Sequence, residues 1–228
     1  MNRIGDSLRG KRVLITQAQE FMGPILAQAF SEHGADVVAD GRILDSGAAG
    51  EEVAQAAGDV DVLIANLGVP APSSRVHEIS DDEFRHTFAH IVDPLPGLFR
   101  GVLPGMLARR SGKIVVMGSA QALRSQKRVG SYAAARSAQQ GFVRVAGIEA
   151  APSNVGINMI AQNFIESPMY YGPEVQALPA FQERLKREVP AGRLGTAEEA
   201  AMFAVFLASS EVNYFAGQSI SLSGGWAN

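Results

Sequence analysis

Residues 13–24 read VLITQAQEFMGP, and the folding of this stretch decides the architecture of the chain. Val13, Leu14 and Ile15 form a continuous apolar run, as in a parallel strand buried on both faces. The Ala-rich apolar run from Pro24 to Phe30 reads as the helix that follows. A turn joining such a strand to such a helix carries glycines, as G-x-G-x-x-G or T-G-x-x-x-G-x-G, wherever the backbone must bend tightly or approach a phosphate. Here Thr16 is followed by Gln17, Ala18, Gln19, Glu20, Phe21 and Met22, and only then by Gly23. Strand and helix are kept while the turn between them is filled with side chains.

Outside this stretch, short apolar runs alternate with longer helical segments, the pattern of βαβ units. Strands are expected at 12–16, 36–39, 61–65, 113–117, 156–160 and 218–222, with helices at 24–33, 80–89, 97–109, 131–151, 179–188 and 196–208. "SDDEF" at 80–84 has the capping-box spacing, Ser80 as N-cap and Glu83 three residues on. Only roughly twenty residues separate the second strand from "VDVLIAN", where two crossover units need more than about fifty. A vestigial strand at 42–45 and a single helix at 50–57 would fill the gap. The fold expected is α/β, a Rossmann-like doubly wound parallel sheet in one domain over 1–228, shortened between its second and fourth strands.

Composition bounds the function. The 228 residues are 46% hydrophobic and 19% charged with a formal net charge of -3, so nothing attracts nucleic acid by bulk charge. The short basic loops "ARRSGK" and "RSQKR" are too sparse to alter that. The absence of cysteine excludes disulfides, thiolate catalysis and Cys-based metal sites, and fits a cytoplasmic protein. The opening MNRIGDSLRGKR lacks the apolar core of a signal peptide, and no run of 18 apolar residues suggests a membrane span. His86 and His90 lie four apart without a third ligand, so no metal is expected.

Three residues carry chemistry. Ser119 follows the strand "KIVVMG" and belongs at the carboxyl end of a central strand, where open α/β sheets place their ligands. Tyr132 and Arg136, in "YAAAR", share a helix face, separated only by alanines. A fixed cation near a phenol favours the phenolate, which makes Tyr132 a usable base, and a hydroxyl beside it holds a substrate oxygen for proton transfer. Arginine does not release its own proton, so Arg136 acts electrostatically. The chemistry read from these residues is proton exchange with an alcohol oxygen.

Together with "LIANLG" and the terminal "GQSISLSGGW", these features resemble the short-chain dehydrogenase/reductase superfamily over essentially the whole chain. Within it, Ser-x12-Tyr-x-x-x-Arg and the T-x4-F-x-G turn of Thr16, Phe21 and Gly23 resemble the halohydrin dehalogenases. "NFIESPMYYGPE" at 163–174 and "REVPAGRLGT" at 187–196 are similar to that family's halide loop and the segment after it. The resemblance implies an enzyme, a carbon-halogen lyase, that uses no cofactor and converts vicinal halohydrins to epoxides. Ser119 would bind the hydroxyl, Tyr132 remove its proton and Arg136 keep Tyr132 acidic. Phe21, Gln162, Asn163, Phe164 and Ile165 would hold the halide, the loop presenting backbone N–H groups and side-chain edges to it. Leu67, Gln121 and Tyr170 would line the substrate pocket. In reverse, azide, cyanide or nitrite would open an epoxide. The superfamily also implies a homotetramer packed through helices bearing Met106, Leu107, Phe142 and Val145.

The chain departs from these patterns at two places. "AQNF" has Gln162 where the dehalogenase loop often has proline, and "IVDPLPGLF" lacks an asparagine that many oxidoreductases of the superfamily carry. Two other readings stay open: an NAD(P)-dependent alcohol dehydrogenase or ketoreductase, and a catalytically silent dehydrogenase-like binding subunit.

Overall fold

In a computed structural model of the chain, which describes residues 4–167, 169–211 and 213–228, the opening apolar run becomes β1 (Arg12–Ile15), fully buried over its last three residues. The next elements are α1 (Gly23–Glu32), β2 (Asp36–Ala39), α2 (Gly47–Ala57) and β3 (Val62–Asn66), then α3 (Asp81–Ile91) and α4 (Pro94–Ala108). They continue as β4 (Gly112–Ser119), α5 (Gly130–Ala150), β5 (Val155–Gln162), α6 (Pro173–Gln176), α7 (Pro179–Glu188), α8 (Ala197–Ala208) and β6 (Ser219–Leu222). All six strands are parallel, in the order β2-β1-β3-β4-β5-β6.

Alternate strand residues feed two apolar layers. Leu14, Leu63, Ile114 and Val116 pack with α2, α4 and α5, while Val13, Ile15, Ile64 and Val115 pack with α1 and α8. This is the single-domain, doubly wound Rossmann-like arrangement expected from the alternating pattern. The winding reverses direction between β1 and β3, so a crevice opens at the carboxyl ends of β1, β3, β4 and β5.

Differences from the sequence reading have local causes. Residues 42–45 form no strand but run as coil toward α2, with Leu44 anchored in the core and Arg42 paired to Asp40 at 2.7 Å. A parallel strand outside β2 needs a crossover of about a dozen residues or more, and the seven residues between β2 and α2 cannot supply one. β2 is therefore the edge, and its residues are exposed or half-buried. Helix α4 begins at Pro94, three residues before the expected Gly97, because first-turn prolines lack only N–H groups that have no helical partner anyway. Ser80 caps α3 by accepting from Glu83 N–H at 3.1 Å, but the reciprocal half of the capping box is missing. The Glu83 carboxylate instead accepts from Ser74 and Ser131, at 2.5 and 2.7 Å. Among the described residues no helix is long and apolar enough to cross a membrane.

Candidate active site

The β1–α1 turn keeps the path of a glycine turn without the glycines. Gln17 (φ 44°) and Phe21 (φ 51°) both adopt the left-handed conformation and stand where T-G-x-x-x-G-x-G has its first two glycines. That conformation costs an L-residue about 1 kcal/mol or more, so the surroundings must impose it. Asn66, at the end of β3, does so by donating through Nδ2 to the Gln17 and Glu20 carbonyls, both at 3.0 Å. The Gln17 side chain, 1% exposed, accepts from Gly68 N–H at 2.7 Å and donates to the Gly68 carbonyl at 3.3 Å. Gly23 is retained for packing, since a Cβ there would lie 2.5 Å from the Ala18 carbonyl carbon. At Gly68 a Cβ would meet the Phe21 ring at 3.3 Å and Arg136 Nη2 at 3.0 Å, so Gly68 lets aromatic ring and guanidinium approach one backbone position.

Ser119 ends β4, 6% exposed, with its Oγ accepting from Gln121 N–H at 3.2 Å. Tyr132 and Arg136 lie one turn apart near the start of α5, and the guanidinium carbon stands 4.9 Å from the centre of the Tyr132 ring. Arg136 is 6% exposed. Its Nη1 donates to Gln139 Oε1 at 2.8 Å and to the Met117 carbonyl at 3.3 Å, while its Nε has no partner. None of the ion pairs among the described residues involves Arg136. A buried cation neutralised only by dipoles is costly, and its field reaches whatever lies beside it, here the Tyr132 phenol.

Of the two kinds of group expected from the loop after β5, backbone N–H groups and side-chain edges, the backbone groups of Asn163 and Phe164 are spent inside the protein. Asn163 N–H donates to the Leu222 carbonyl at 3.1 Å, and Phe164 N–H, at a residue with φ 54°, donates to Asn163 Oδ1 at 3.0 Å. Those two backbone groups are occupied within the protein. The Asn163 Nδ2 group is instead buried without a partner, as is Gln162 Oε1. Gln162 stands directly across the β4–β5 ladder from Ser119.

Ser119, Tyr132, Arg136, Phe21, Gln162, Asn163, Phe164, Ile165, Leu67, Gln121 and Tyr170 all border one cavity of about 170 Å³. Gln121 shapes its wall, because both ends of its amide bond Gln126, at 2.9 and 3.0 Å. Tyr170 reaches across to the loop after β3, its hydroxyl accepting from Ala71 N–H at 3.0 Å and donating to the Val69 carbonyl at 3.4 Å. Burial, aided by the neighbouring Tyr132, pushes the Tyr170 phenol up to about 12. Burial also raises Tyr171, whose ring stacks on Phe164. Both shifts favour the neutral, protonated phenol at these two positions. Among the described residues no three acidic or histidine side chains group as a metal site.

Sequence reasoning missed Asn66 and Gln139. Asn66 follows the apolar run of β3 at the crevice, and Gln139 is a polar residue on the apolar face of α5, one turn beyond Arg136. Both positions were legible as anomalies of pattern, although their partners were not.

Comparisons with known proteins agree with this geometry at the level of the superfamily. The profile of the family described as enoyl-(acyl carrier protein) reductase matches residues 44–227, beginning beyond the filled turn. The 3-oxoacyl-[acyl-carrier-protein] reductase of Vibrio harveyi is 29% identical over 245 residues, covering 96% of this chain and 98% of its own. The acetoacetyl-CoA reductase of Shinella zoogloeoides is 33% identical over 173 residues, covering 74% of this chain and 68% of its own. A solved structure described as a dehalogenation enzyme superposes with a TM-score of 0.82 at 25% identity, over 97% of this chain and 100% of that one. A 3-oxoacyl-(acyl-carrier-protein) reductase from Agrobacterium tumefaciens with NADP bound shares the fold, with a TM-score of 0.89 at 23% identity over 98% and 97% of the two chains. The chain belongs to the enoyl-(acyl carrier protein) reductase family of the short-chain dehydrogenase/reductase superfamily.

Proposed function

We propose that this protein is a cofactor-independent halohydrin dehalogenase acting through Ser119, Tyr132 and Arg136. The observation that carries the reading is the filled turn. The superfamily's dinucleotide needs open backbone where Gln17 is buried and bonded to Gly68 and where the Phe21 ring closes on Gly68. These residues do not fit a pyrophosphate, and the Phe21 side chain helps to line a small cavity that Ser119 and Tyr132 also border.

In this reading Ser119 holds the hydroxyl of a vicinal halohydrin, and the Tyr132 phenolate takes its proton as the oxygen attacks the neighbouring carbon. The O–H and C–X bonds break, the ring C–O bond forms, and the halide departs with the bonding pair toward Phe21, Asn163 and Phe164. Arg136 supplies fixed positive charge under the phenolate. The reverse reaction protonates an epoxide oxygen from Tyr132 while azide, cyanide or nitrite enters by the halide path.

One set of observations favours a second reading, an NAD(P)-dependent alcohol dehydrogenase or ketoreductase: the similar reductases from Vibrio harveyi and Shinella zoogloeoides. Halide release from a vicinal bromo-alcohol by purified protein without added cofactor separates the two. Release that disappears in Tyr132→Phe, with melting temperature unchanged, is the expected result. A ligand of the folded state at a hundred times its Kd stabilises by about 2.7 kcal/mol. No halide release, combined with a raised melting temperature in NADPH and reduction of a 3-oxoacyl thioester, would replace the dehalogenase with the reductase.

A further inference from the structure

Arg136 is bonded at Nη1 by a buried residue to which neither the motif nor the family resemblance assigns a task. Gln139 is fully buried on α5, its Oε1 accepts from Arg136 Nη1 at 2.8 Å, and its Nε2 donates to the Ile91 carbonyl at 2.7 Å. The second bond fixes the amide's orientation, because only the NH2 end can donate to a carbonyl; the oxygen must therefore face the guanidinium. Ile91 ends α3, where carbonyls lack helical partners, so Gln139 also satisfies one of these groups. A carboxylate at position 139 would bind Arg136 as well but cancel its charge. A neutral amide anchors the cation and leaves the field intact for Tyr132.

We propose that Gln139 is the positioning residue of the site, a neutral tether that fixes Arg136 under Tyr132 while preserving its charge. The inference rests on the reading of Ser119, Tyr132 and Arg136 as the site, whichever substrate it takes. The groups facing the pair are few. Tyr170 and Tyr171 approach from the segment after β5. Glu83 of α3 is bound to Ser131 beside Tyr132. The strands contribute the Met117 carbonyl, and the β1–α1 turn contributes the uncharged Phe21 ring near Gly68.

The test compares Gln139→Leu and Gln139→Glu with the wild type in two measurements. One is the rise of phenolate absorbance with pH, taken as the difference from the same protein carrying Tyr132→Phe. The other is kcat and KM for halide release across the same pH range. Gln139→Leu is expected to lower kcat about tenfold or more while KM changes less than about twofold, as loss of a hydrogen bond to a charged group implies. Its phenolate absorbance should develop at higher pH. Gln139→Glu keeps the size and the acceptor toward Arg136 but loses the donor to Ile91, and its carboxylate charge should move that absorbance further toward alkaline pH, the opposite of what rescue by a packing residue would do. If Gln139→Leu does not fold, Gln139→Glu decides alone. Folded variants whose phenolate curve and rate profile both match the wild type would reduce Gln139 to core packing and overturn the proposal. If wild-type protein releases no halide, the absorbance measurement still judges Gln139, so failure of the substrate reading is distinguishable from failure of the tether.

Discussion

Gln17 ties the β1–α1 turn to the loop after β3 through one side chain. Its amide makes two bonds with the Gly68 backbone, much as a neighbouring strand would, from a residue held at φ 44°. Replacing it by leucine keeps volume but leaves the buried Gly68 N–H unpaired, and such a group costs about 1–3 kcal/mol. We expect Gln17→Leu to lose stability in that range by urea unfolding. An unchanged unfolding midpoint would mean that the pair adds nothing to the turn. Phe21 could be placed at the crevice from its position in the turn, but its left-handed backbone could not. Asn66, which holds the Glu20 carbonyl just before it, lies 45 residues beyond Phe21 in the chain.

Among the strands, β4 joins the site to a buried cation at its opposite end. Lys113, 7% exposed, donates to Asn213 Oδ1 at 2.8 Å, and burial lowers its ammonium from 10.5 to about 8, against a smaller opposing attraction from Glu211. Between pH 8 and 10.5 the unfolded chain binds the proton more tightly than the folded one, so this group makes stability rise with pH across that window. Lys113→Met should flatten the rise in unfolding free energy between those limits. A slope identical to the wild type would show that burial does not lower the Lys113 ammonium. Helix elements were mostly legible from apolar spacing and caps, and their errors fell where local pattern meets tertiary demand. Glu83 was assigned to a helix cap by spacing but is claimed by Ser74 and Ser131, one contributed by the loop after β3 and the other by α5.

For the whole molecule, α4 and α5 leave an apolar groove bordered by Phe99, Leu103, Leu107, Phe142 and Val145, beside the exposed Ile148. We propose that this face joins subunits of a homotetramer, as exposed apolar patches commonly mark association surfaces. Val145→Glu together with Ile148→Glu should shift the protein to a smaller species in light scattering at equal concentration. A wild-type monomer would remove the tetramer. Met106 takes no part in that face, because it is wholly buried against the sheet.

The alternation of apolar runs and helices determined the parallel sheet, because strands buried on both faces read as near-continuous runs rich in Val, Ile and Leu. The spacing of Tyr132 and Arg136 determined that they share a face, because helical periodicity is local. The tertiary structure alone decided which polar groups remain unpaired in the cavity. Asn163 Nδ2 and Arg136 Nε are orphaned, while the backbone N–H groups of Asn163 and Phe164 are consumed by Leu222 and Asn163. The bond from Asn163 to Leu222 follows from the register of β5 and β6, which strands buried on both faces, lacking an alternation of apolar and polar residues, do not fix by local pattern.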